Sequence, residues 1–431
     1  MNKQKQQSTA FSGYQKFVIF LLAITQFTVV LDFMVMSPLG DIMMKTLHIT
    51  AKQFGVAVSA YAFSAGISGL LTAGFADKFD RKKLLLFFYI GFVIGTFFCA
   101  LAPNYELLVA ARIFTGLFGG VIGSVSMAII ADLFSLQQRG KVMGFVQMGF
   151  GVSQVLGIPI GLYIANQWGW HIPFLWIAIM AAIIVLVLSF KLKPINTHLS
   201  LKNDKNAFQH LWHTIAQRNY RVGFLSTALL SIGGFMMMPF GSAFAINNLK
   251  ITKEELPLLF MITGIATLIS MPFIGKLSDR VSKFKTFAIA TLFTIIVINI
   301  YSHYSVTSFL IVMITNVVMM IFIMSRMVPS TALTSAIPNP QDRGAFMSIN
   351  SSLQQVAGGF GAMIAGMIIV QKDNFAPLEH YDTLAMISSS IMFLTIFLMY
   401  RVNKIVQQKT NVPMKHPVET TEPAAEIILT E

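Results

Sequence analysis

The sequence predicts an all-α integral membrane protein, with twelve transmembrane helices in two six-helix bundles related by an internal repeat. Three observations predict this fold. Of the 431 residues, 55% are hydrophobic and only 11% are charged, whereas an ordinary soluble domain is about 25% charged. Apolar stretches of about 20 residues, long enough to span a bilayer, follow one another along the chain. The two halves of the chain also resemble each other. So few charges cannot cover 38 Phe and 26 Met in water, which excludes soluble enzymes.

Each apolar stretch is bounded by charged residues, Pro, Gly or Asn and is predicted to cross the membrane. In the first half the spans are residues 17–39, 53–76, 84–103, 107–134, 142–166 and 172–190. In the second half they are residues 222–247, 255–278, 284–302, 306–335, 345–371 and 383–400. The chain is therefore divided into an N-terminal bundle 1–190, a cytoplasmic linker 191–221, a C-terminal bundle 222–401 and a cytoplasmic tail 402–431.

The linker and the tail have different compositions. Between Asn206 and Arg218, apolar side chains recur at helical spacing and predict an amphipathic helix on the inner membrane surface; they are Phe208, Leu211, Trp212 and Ile215. The tail is rich in Lys, Thr, Pro and Glu and is predicted to be disordered. We predict no metal site, since His210 and His213 have no third ligand nearby and Cys99 lies within an apolar run.

The positive charges predict the orientation of the chain. Of 31 Lys and Arg, Arg112 and Arg326 lie within spans, and one side of the membrane carries only five: Lys45, Lys52, Lys250, Lys253 and Lys372. The other side carries the rest, so it is predicted to be cytoplasmic, with both termini inside. The same rule explains the net charge of +13, so we expect no nucleic-acid partner. Short loops and tails favour a bacterial inner membrane.

The second half of the chain repeats the first at an offset of about 202 residues. Three pairs of segments carry the repeat: Leu47 to Thr50 with Leu249 to Thr252, Asp77 with Asp279, and Arg139-Gly140 with Arg343-Gly344. Parallel repeats of this kind place a substrate site near the membrane midplane, between two bundles that rock against each other.

The chain resembles the major facilitator superfamily, and within it the twelve-helix drug- and sugar-efflux proton antiporters. The loop after span two has the family pattern Gly-x-Leu-Ala-Asp-Arg-x-Gly-Arg-Lys. This chain reads Ala73-Gly74-Phe75-Ala76-Asp77-Lys78-Phe79-Asp80-Arg81-Lys82, with Ala73 and Asp80 at the two glycine positions. A second copy, Gly275 to Lys283, keeps the Gly, Leu, Asp and Arg. The resemblance covers nearly the whole chain and implies the major facilitator fold and secondary active transport.

Charged residues at the inner ends of the spans form a predicted conformational latch. Asp77 can interact with a nearby helix N-terminus, and Arg81 is expected to pair with Asp132 at the inner end of span four. The resemblance implies that this cluster, with Asp279 and Arg280 in the second copy, holds the bundles in the outward-open state. The alternative is that these charges only fix topology.

Asp32 is the acidic residue that lies well inside a span, where an Asp costs about 2.5 to 3.5 kcal/mol on insertion scales. It therefore needs a partner or a proton. Arg112 in span four lies in the same outer half and begins Arg112-Ile113-Phe114-Thr115-Gly116, which resembles the family's Arg-x-x-x-Gly element. We predict that Asp32 is the proton acceptor and that Arg112 controls its proton affinity. A purely structural ion pair is the alternative. The proton is the only coupling ion expected, with no other cofactor.

Polar and flexible residues within spans are predicted to line the substrate cavity. Arg326 has no acid at corresponding depth, so it either binds an anionic or hydroxyl-rich substrate group or bonds backbone carbonyls near Pro329. The other cavity residues are Gln26, Tyr61, Gln154, Asn316, Gln354, Met36 and Met237. Helix-to-helix hydrogen bonding and ordinary packing are the alternatives for them.

Span five contains Gly157, Pro159 and Gly161, which permit helix bending and close approach. Family antiporters have Gly-Pro-x-x-Gly-Gly there, so the chain's Gly157-Ile158-Pro159-Ile160-Gly161 matches in part and is closer to the sugar and nucleoside efflux branch.

These patterns predict a monomeric secondary transporter that exports drug-like, sugar-like or nucleoside-like molecules in exchange for protons. Its partners would be the small-molecule substrate and the lipid bilayer. A proton-coupled importer is the alternative, and a membrane sensor without transport would need a soluble domain. The sequence contains no Gly-x4-Gly-Lys-Ser/Thr loop, His-Glu-x-x-His motif or nucleophile elbow, so neither ATP-driven pumping nor enzyme activity is expected.

Overall fold

The computed structural model describes residues 11–72, 74–196, 199, 207–339, 341–373 and 375–410. Within these ranges the regular structure is helical, and one antiparallel bridge joins Val370 to Glu379. The predicted all-α class is confirmed.

The described part of the first half contains eight α-helices, one 3-10 turn and one π-helical turn. The helices are α1 Gly13–Val35, α2 Gly40–Leu47, α3 Ala51–Thr72, α4 Arg81–Leu101, α5 Tyr105–Leu133, α6 Leu136–Val152, α7 Ile158–Trp168 and α8 His171–Lys191. A 3-10 turn, Ala76–Lys78, precedes α4. A π-helical turn, Ser153–Gly157, joins α6 to α7 within one span.

The second half follows this order after a linker helix, except that one continuous helix corresponds to α6 and α7. The helices are α9 Ala207–Ala216, α10 Arg218–Met237, α11 Gly241–Asn247, α12 Glu255–Arg280, α13 Lys283–Ser302, α14 Phe309–Ser335, α15 Arg343–Ile368 and α16 Tyr381–Thr410. A 3-10 turn, Met238–Phe240, joins α10 to α11.

Eleven of the described helical runs are long and apolar enough to cross a membrane. The twelfth predicted span coincides with α15, whose 26 residues include the polar side chains Asn350, Ser351, Ser352, Gln354 and Gln355. Gly359 and Gly366 of this helix pack against α3 in the other bundle, whereas Gly358 and Gly361 pack against α10. In the described part of the chain, each of the twelve predicted spans therefore overlaps a helix.

The two bundles approach closely along α3 and α15 because both helices present small residues. A Cβ atom on Gly55 would lie 2.8 Å from the Ala362 carbonyl oxygen. A Cβ atom on Gly66 would lie 2.7 Å from the Ser352 carbonyl oxygen. Small residues let helix backbones come together, so van der Waals contact can hold them without a hydrophobic driving force from water.

Each half begins with a long helix that breaks and restarts as a short one. Span one was predicted to continue to residue 39, and this is wrong: α1 ends at Val35. The break precedes Pro38, which has no amide hydrogen for a helix and disfavours helical backbone in the residue before it. In the second half, the corresponding break occurs at Pro239. We call the end of the molecule that contains α2 and α11 the closed end, because the two bundles meet there.

Two expectations for the linker and tail need correction. The predicted amphipathic helix is present as α9, but Leu211 is buried in a cluster with Tyr220 and Phe346 of the second bundle. Only part of the predicted apolar face is free, since Trp212 is 74% exposed. The tail was predicted to be disordered from residue 402, whereas α16 continues to Thr410, because the fully buried Val402 belongs to the same cluster. Residues 411–431 lie outside the described part of the chain.

Asp80, which replaces a family glycine, stabilises the start of α4 and the start of the linker. Its carboxylate accepts the amide of Lys83 at 3.0 Å and so caps the N-terminus of α4. It also accepts the amide of Ile195 at 2.9 Å, while the Arg81 amide donates to the Ile195 carbonyl at 3.0 Å. The beginning of the linker is thus attached to the loop before α4.

Candidate functional site

An ion pair lies inside the first bundle, near the closed end. Asp32 is on the last turn but one of α1, and Arg112 is on the third turn of α5. The Arg112 Nη1 atom donates to the Asp32 Oδ2 atom at 2.8 Å, and the Thr96 hydroxyl of α4 donates to Asp32 Oδ1 at 3.2 Å. The two charged side chains are 1% and 0% exposed. The structure therefore brings together the two residues that were predicted to form the coupling pair.

Aromatic rings surround the guanidinium group. Its carbon lies 4.5 Å from the centre of the Tyr61 ring and 5.9 Å from that of Phe174, both within the range of cation–π attraction. The Arg112 Nε atom is buried without a hydrogen-bond partner among the described residues. Burial of two charges is favourable only when pairing and hydrogen bonding compensate for the loss of hydration. Because Nε lacks a hydrogen bond, we expect the net stabilisation from this pair to be small.

The ion pair is connected to the other bundle through two rings. The Tyr61 ring packs against the Arg112 guanidinium group. The centre of this ring is 5.4 Å from the ring centre of Phe33, the residue after Asp32. Phe33 in turn lies 5.8 Å from Phe235 of α10. A movement of the Arg112 side chain could therefore alter the contact of Phe33 with Phe235, which joins the two bundles.

A second polar cluster, which we call the closing network, joins the bundles beyond this pair and consists of Asp41, Lys45 and Asn247. The Lys45 Nζ atom lies 2.8 Å from Asp41 Oδ1 and donates to Asn247 Oδ1 at 3.0 Å. The Asn247 amide donates to Asp41 Oδ1 at 2.6 Å. Asp41 is 1% exposed and Asn247 is 4% exposed, so opening this end would expose polar groups that now satisfy one another.

Further backbone contacts strengthen the closed end. The Ser242 hydroxyl donates to the Ser37 carbonyl at 3.0 Å, and the Ser37 hydroxyl donates to the Met238 carbonyl. Farther along, the Asn166 side chain donates to the Lys253 carbonyl at 2.8 Å. The Asp32–Arg112 pair lies behind this layer.

The sequence pointed to neither the closing network nor Thr96. A usable signal existed for one member, because Asn247 follows Lys45 by 202 residues, the offset of the repeat. Two equivalent positions of a two-fold repeat can meet at its axis. The side chains of Asp41 and Thr96 carried no comparable pattern.

Arg326 is placed in the second bundle, away from the ion pair. It is 3% exposed, and its guanidinium carbon lies 5.9 Å from the centre of the Phe287 ring of α13. Its Nε and Nη2 atoms have no hydrogen-bond partner in the described part of the chain. In this conformation the side chain points into the bundle.

The other predicted cavity residues fall into different environments. Tyr61 belongs to the ion-pair site. The Gln26 Oε1 atom is buried without a described partner and lies 3.6 Å from the position of a Cβ on Gly123. Asn316 donates to the Val312 carbonyl of its own helix at 3.2 Å. Gln154 is half-buried, Gln354 is exposed, Met237 is half-buried, and Met36 is fully buried in the main hydrophobic core.

The predicted latch is described in part. The Arg81 Nε atom donates to Asp132 at 3.2 Å, as expected, and its Nη1 atom donates to the Ala76 carbonyl at 3.2 Å. Asp77 lies in the turn Ala76–Lys78. The side chains of Asp77 and Asp279 are outside the described structure, and Arg280 is exposed at the end of α12.

The predicted bending residues lie next to the π-helical turn. This turn ends at Gly157, and Pro159 follows as the second residue of α7. The Ser153 hydroxyl donates to the Phe27 carbonyl of α1 at 3.1 Å. A Cβ on Gly161 would lie 2.9 Å from Val35. Single π turns are frequent at functional sites, and this one packs against the helix that carries Asp32.

Comparison with known proteins identifies relatives along the whole chain. The family model described as the Major Facilitator Superfamily matches residues 22–220 and 223–430. YbcL of Bacillus subtilis strain 168, an uncharacterized MFS-type transporter, is 26% identical over 386 residues, which cover 88% of this chain and 95% of YbcL. Multidrug resistance protein 2 of the same strain is 21% identical over 364 residues, covering 82% and 89%. The crystal structure of a D-xylose-proton symporter has a TM-score of 0.74 at 18% identity and covers 90% of this chain and 98% of that one.

Proposed function

The chain belongs to the major facilitator superfamily, and on that premise we propose that it is a proton-coupled exporter of small organic molecules that works by alternating access. It is a multi-pass membrane protein whose relatives are transporters and not enzymes. The observation that carries the proposal is the buried Asp32–Arg112 pair, connected through Tyr61 and Phe33 to a contact between the bundles. The likeness to Multidrug resistance protein 2 supports export of drug-like molecules, and sugar-like or nucleoside-like substrates are the alternatives.

The coupling step follows from the charge balance of the pair. A proton that reaches Asp32 neutralises the carboxylate and removes most of its attraction for Arg112. The guanidinium is then a buried cation without a counter-charge, which is strongly unfavourable. It must move toward water or toward another acceptor, and it leaves the face of Tyr61 as it does so. Loss of that contact frees Phe33 from Phe235, and the bundles can separate at the closed end.

We also infer the orientation of this conformation. The lysine-rich ends of the spans would face the cytoplasm of a bacterium, so the closed end would face outward. A cavity between the bundles would then open to the inside, where a substrate awaiting export would enter. In the opposite conformation Asp77 would hold the cytoplasmic ends together, and the Arg81–Asp132 pair, which lies within the first bundle, would position the loop that carries Asp77. The protein would act as a monomer, with the proton as the only coupling ion.

Proteoliposomes with a preset pH gradient test this function. Cationic dyes, sugars and nucleosides are added in turn, and proton movement is recorded for wild type, Asp32→Asn and Glu106→Gln. Glu106 is a matched control, because it is an exposed acid on the helix that carries Arg112. We expect one class of compound to release protons with wild type and Glu106→Gln, and not with Asp32→Asn.

Other results would count against parts of the proposal. Coupling that persists in Asp32→Asn would show that another group accepts the proton. Substrate movement without proton movement in wild type would exclude proton coupling. Accumulation of substrate on the side to which protons flow would identify the protein as an importer.

A further inference from the structure

Helices α1 and α6 form a groove at the lysine-rich end of the first bundle. The helices touch near the C-terminal end of α6 and the middle of α1, where a Cβ on Gly149 would lie 3.0 Å from the Ala23 carbonyl oxygen. Toward the end that carries the N-terminus they enclose a groove of about 450 Å³. The side chains used below are Lys16, Phe20, Lys141, Phe145 and Met148, all of which line it.

The two walls of the groove have the same order of chemistry. On α1, Lys16 precedes Phe20 by four residues, and on α6, Lys141 precedes Phe145 by four. Residues four apart share a helix face, and four residues rise by about 6 Å. Each wall therefore presents a cation at the membrane-surface level and an aromatic ring one turn deeper.

Among the described residues, no side chain covers the apolar part of the groove. Phe20 is 59% exposed, Phe145 is 47% exposed and Met148 is 58% exposed. No acidic side chain of the described residues lines the groove to neutralise the two lysines. The Lys141 ammonium lies 5.6 Å from the centre of the Phe11 ring, a contact that orients it without removing its charge.

We propose that this groove binds one anionic phospholipid, with its phosphate between Lys16 and Lys141 and an acyl chain along Phe20, Phe145 and Met148. A soluble anion would neutralise the lysines but leave the rings uncovered. A lipid without net charge would cover the rings but leave an excess of positive charge. Basic pockets between transmembrane helices are suited to anionic headgroups, and each Lys near such a surface contributes about a fivefold gain in affinity.

Native mass spectrometry of the purified full chain tests this site. The first bound lipid is titrated with phosphatidylglycerol and with phosphatidylcholine that carries the same acyl chains. We expect wild type to prefer phosphatidylglycerol by at least about fivefold. The preference should disappear in Lys16→Gln/Lys141→Gln and persist in Lys16→Arg/Lys141→Arg. It should also persist in the control Lys276→Ala/Lys285→Ala, which removes two exposed lysines of the second bundle.

Two further measurements separate the lipid from other ligands. The variant Phe20→Ser/Phe145→Ser should weaken binding of both lipids and leave their ratio unchanged. Inorganic phosphate or glycerol phosphate at millimolar concentration should not displace phosphatidylglycerol. Displacement by either would identify a site for soluble anions instead. Equal affinity of wild type for both lipids, or an unchanged preference in the Gln variant, would overturn the proposal. No transport is measured, so the result is independent of the proposed function.

Discussion

Asp32 and Arg112 stabilise the first bundle only as long as both are present. Asp32→Asn would leave a buried guanidinium without a counter-charge, and loss of one partner of a buried pair typically costs about 3 to 5 kcal/mol. Replacing both charges by neutral groups of similar size removes that cost. We therefore expect Asp32→Asn to lower the melting temperature in detergent strongly and Asp32→Asn/Arg112→Gln to restore most of it.

The same pair of variants separates stability from coupling. The double variant should be stable and yet show no substrate-driven proton movement, because it has no titratable group at this position. Glu106→Gln should change neither quantity. If the double variant were less stable than Asp32→Asn alone, the hydrogen bonds of the pair, rather than its charge balance, would hold this region together.

The sequence was sufficient to predict the charged residues of the two ion pairs, but not the polar side chains that hydrogen-bond around them. An Asp and an Arg in the outer halves of two apolar spans are rare enough to predict a pair, and Arg81–Asp132 followed from the family loop. Thr96 was out of reach, since hydroxyl side chains are common in spans and their partners depend on how helices rotate against each other. For Asn247 the signal was its offset of 202 residues from Lys45, which is the offset of the repeat. The environment of Arg326 also depends on rotation, which decides whether a side chain faces a cavity or the next helix.

Between the two bundles, the contact of α3 with α15 is sensitive to added volume. A Cβ on Gly66 would lie 2.5 Å from the Val356 side chain and 2.7 Å from the Ser352 carbonyl. Gly66→Ala should therefore push the bundles apart and lower both the melting temperature and the transport rate. Gly144→Ala is the matched control, because nothing lies within 4 Å of its Cβ position. That change should stabilise α6 by up to about 1 kcal/mol.

Both variants can be compared by thermal unfolding followed with a thiol-reactive dye on Cys99, which is buried in the folded protein. Equal melting temperatures for Gly66→Ala and Gly144→Ala would show that α3 and α15 are not tightly packed in the membrane.

Element boundaries show where a sequence pattern is ambiguous. Hydropathy continues through Met36 and Leu39, so it gave no sign that α1 stops at Val35, although Pro38 did. The end of α16 was missed for the opposite reason. Lys and Gln dominate residues 403–410, yet Val402 and Ile405 recur at helical spacing and pack on the second bundle. Composition alone cannot distinguish a polar helix end from a tail.

For the whole molecule, the closing network sets the balance between two conformations. Asn247→Ala removes both hydrogen bonds by which the second bundle binds Asp41 and Lys45. The closed end should then open more often. Asn248→Ala is the control, because Asn248 bonds with Leu378 within its own bundle. In a Cys99→Ala background, a cysteine at Ser242 should react with a membrane-impermeant maleimide several times faster in Asn247→Ala than in Asn248→Ala.

That experiment also reports the orientation of the protein in cells. Labelling from outside intact cells would agree with a closed end that faces outward. Equal labelling of the two variants would mean that the apolar contacts at the closed end, and not its polar network, keep the bundles together.

Because Asp80 attaches the beginning of the linker to the first bundle, the rest of the linker is a tether of fixed length between the two bundles. Ile195 is fastened to the first bundle, and α9 is fastened to the second through Leu211. From Ile195 to Ala207, where α9 begins, twelve residues can span at most about 43 Å. These two points cannot move farther apart than that distance when the bundles rock. The length of the linker therefore limits how far the bundles can separate on the side next to it.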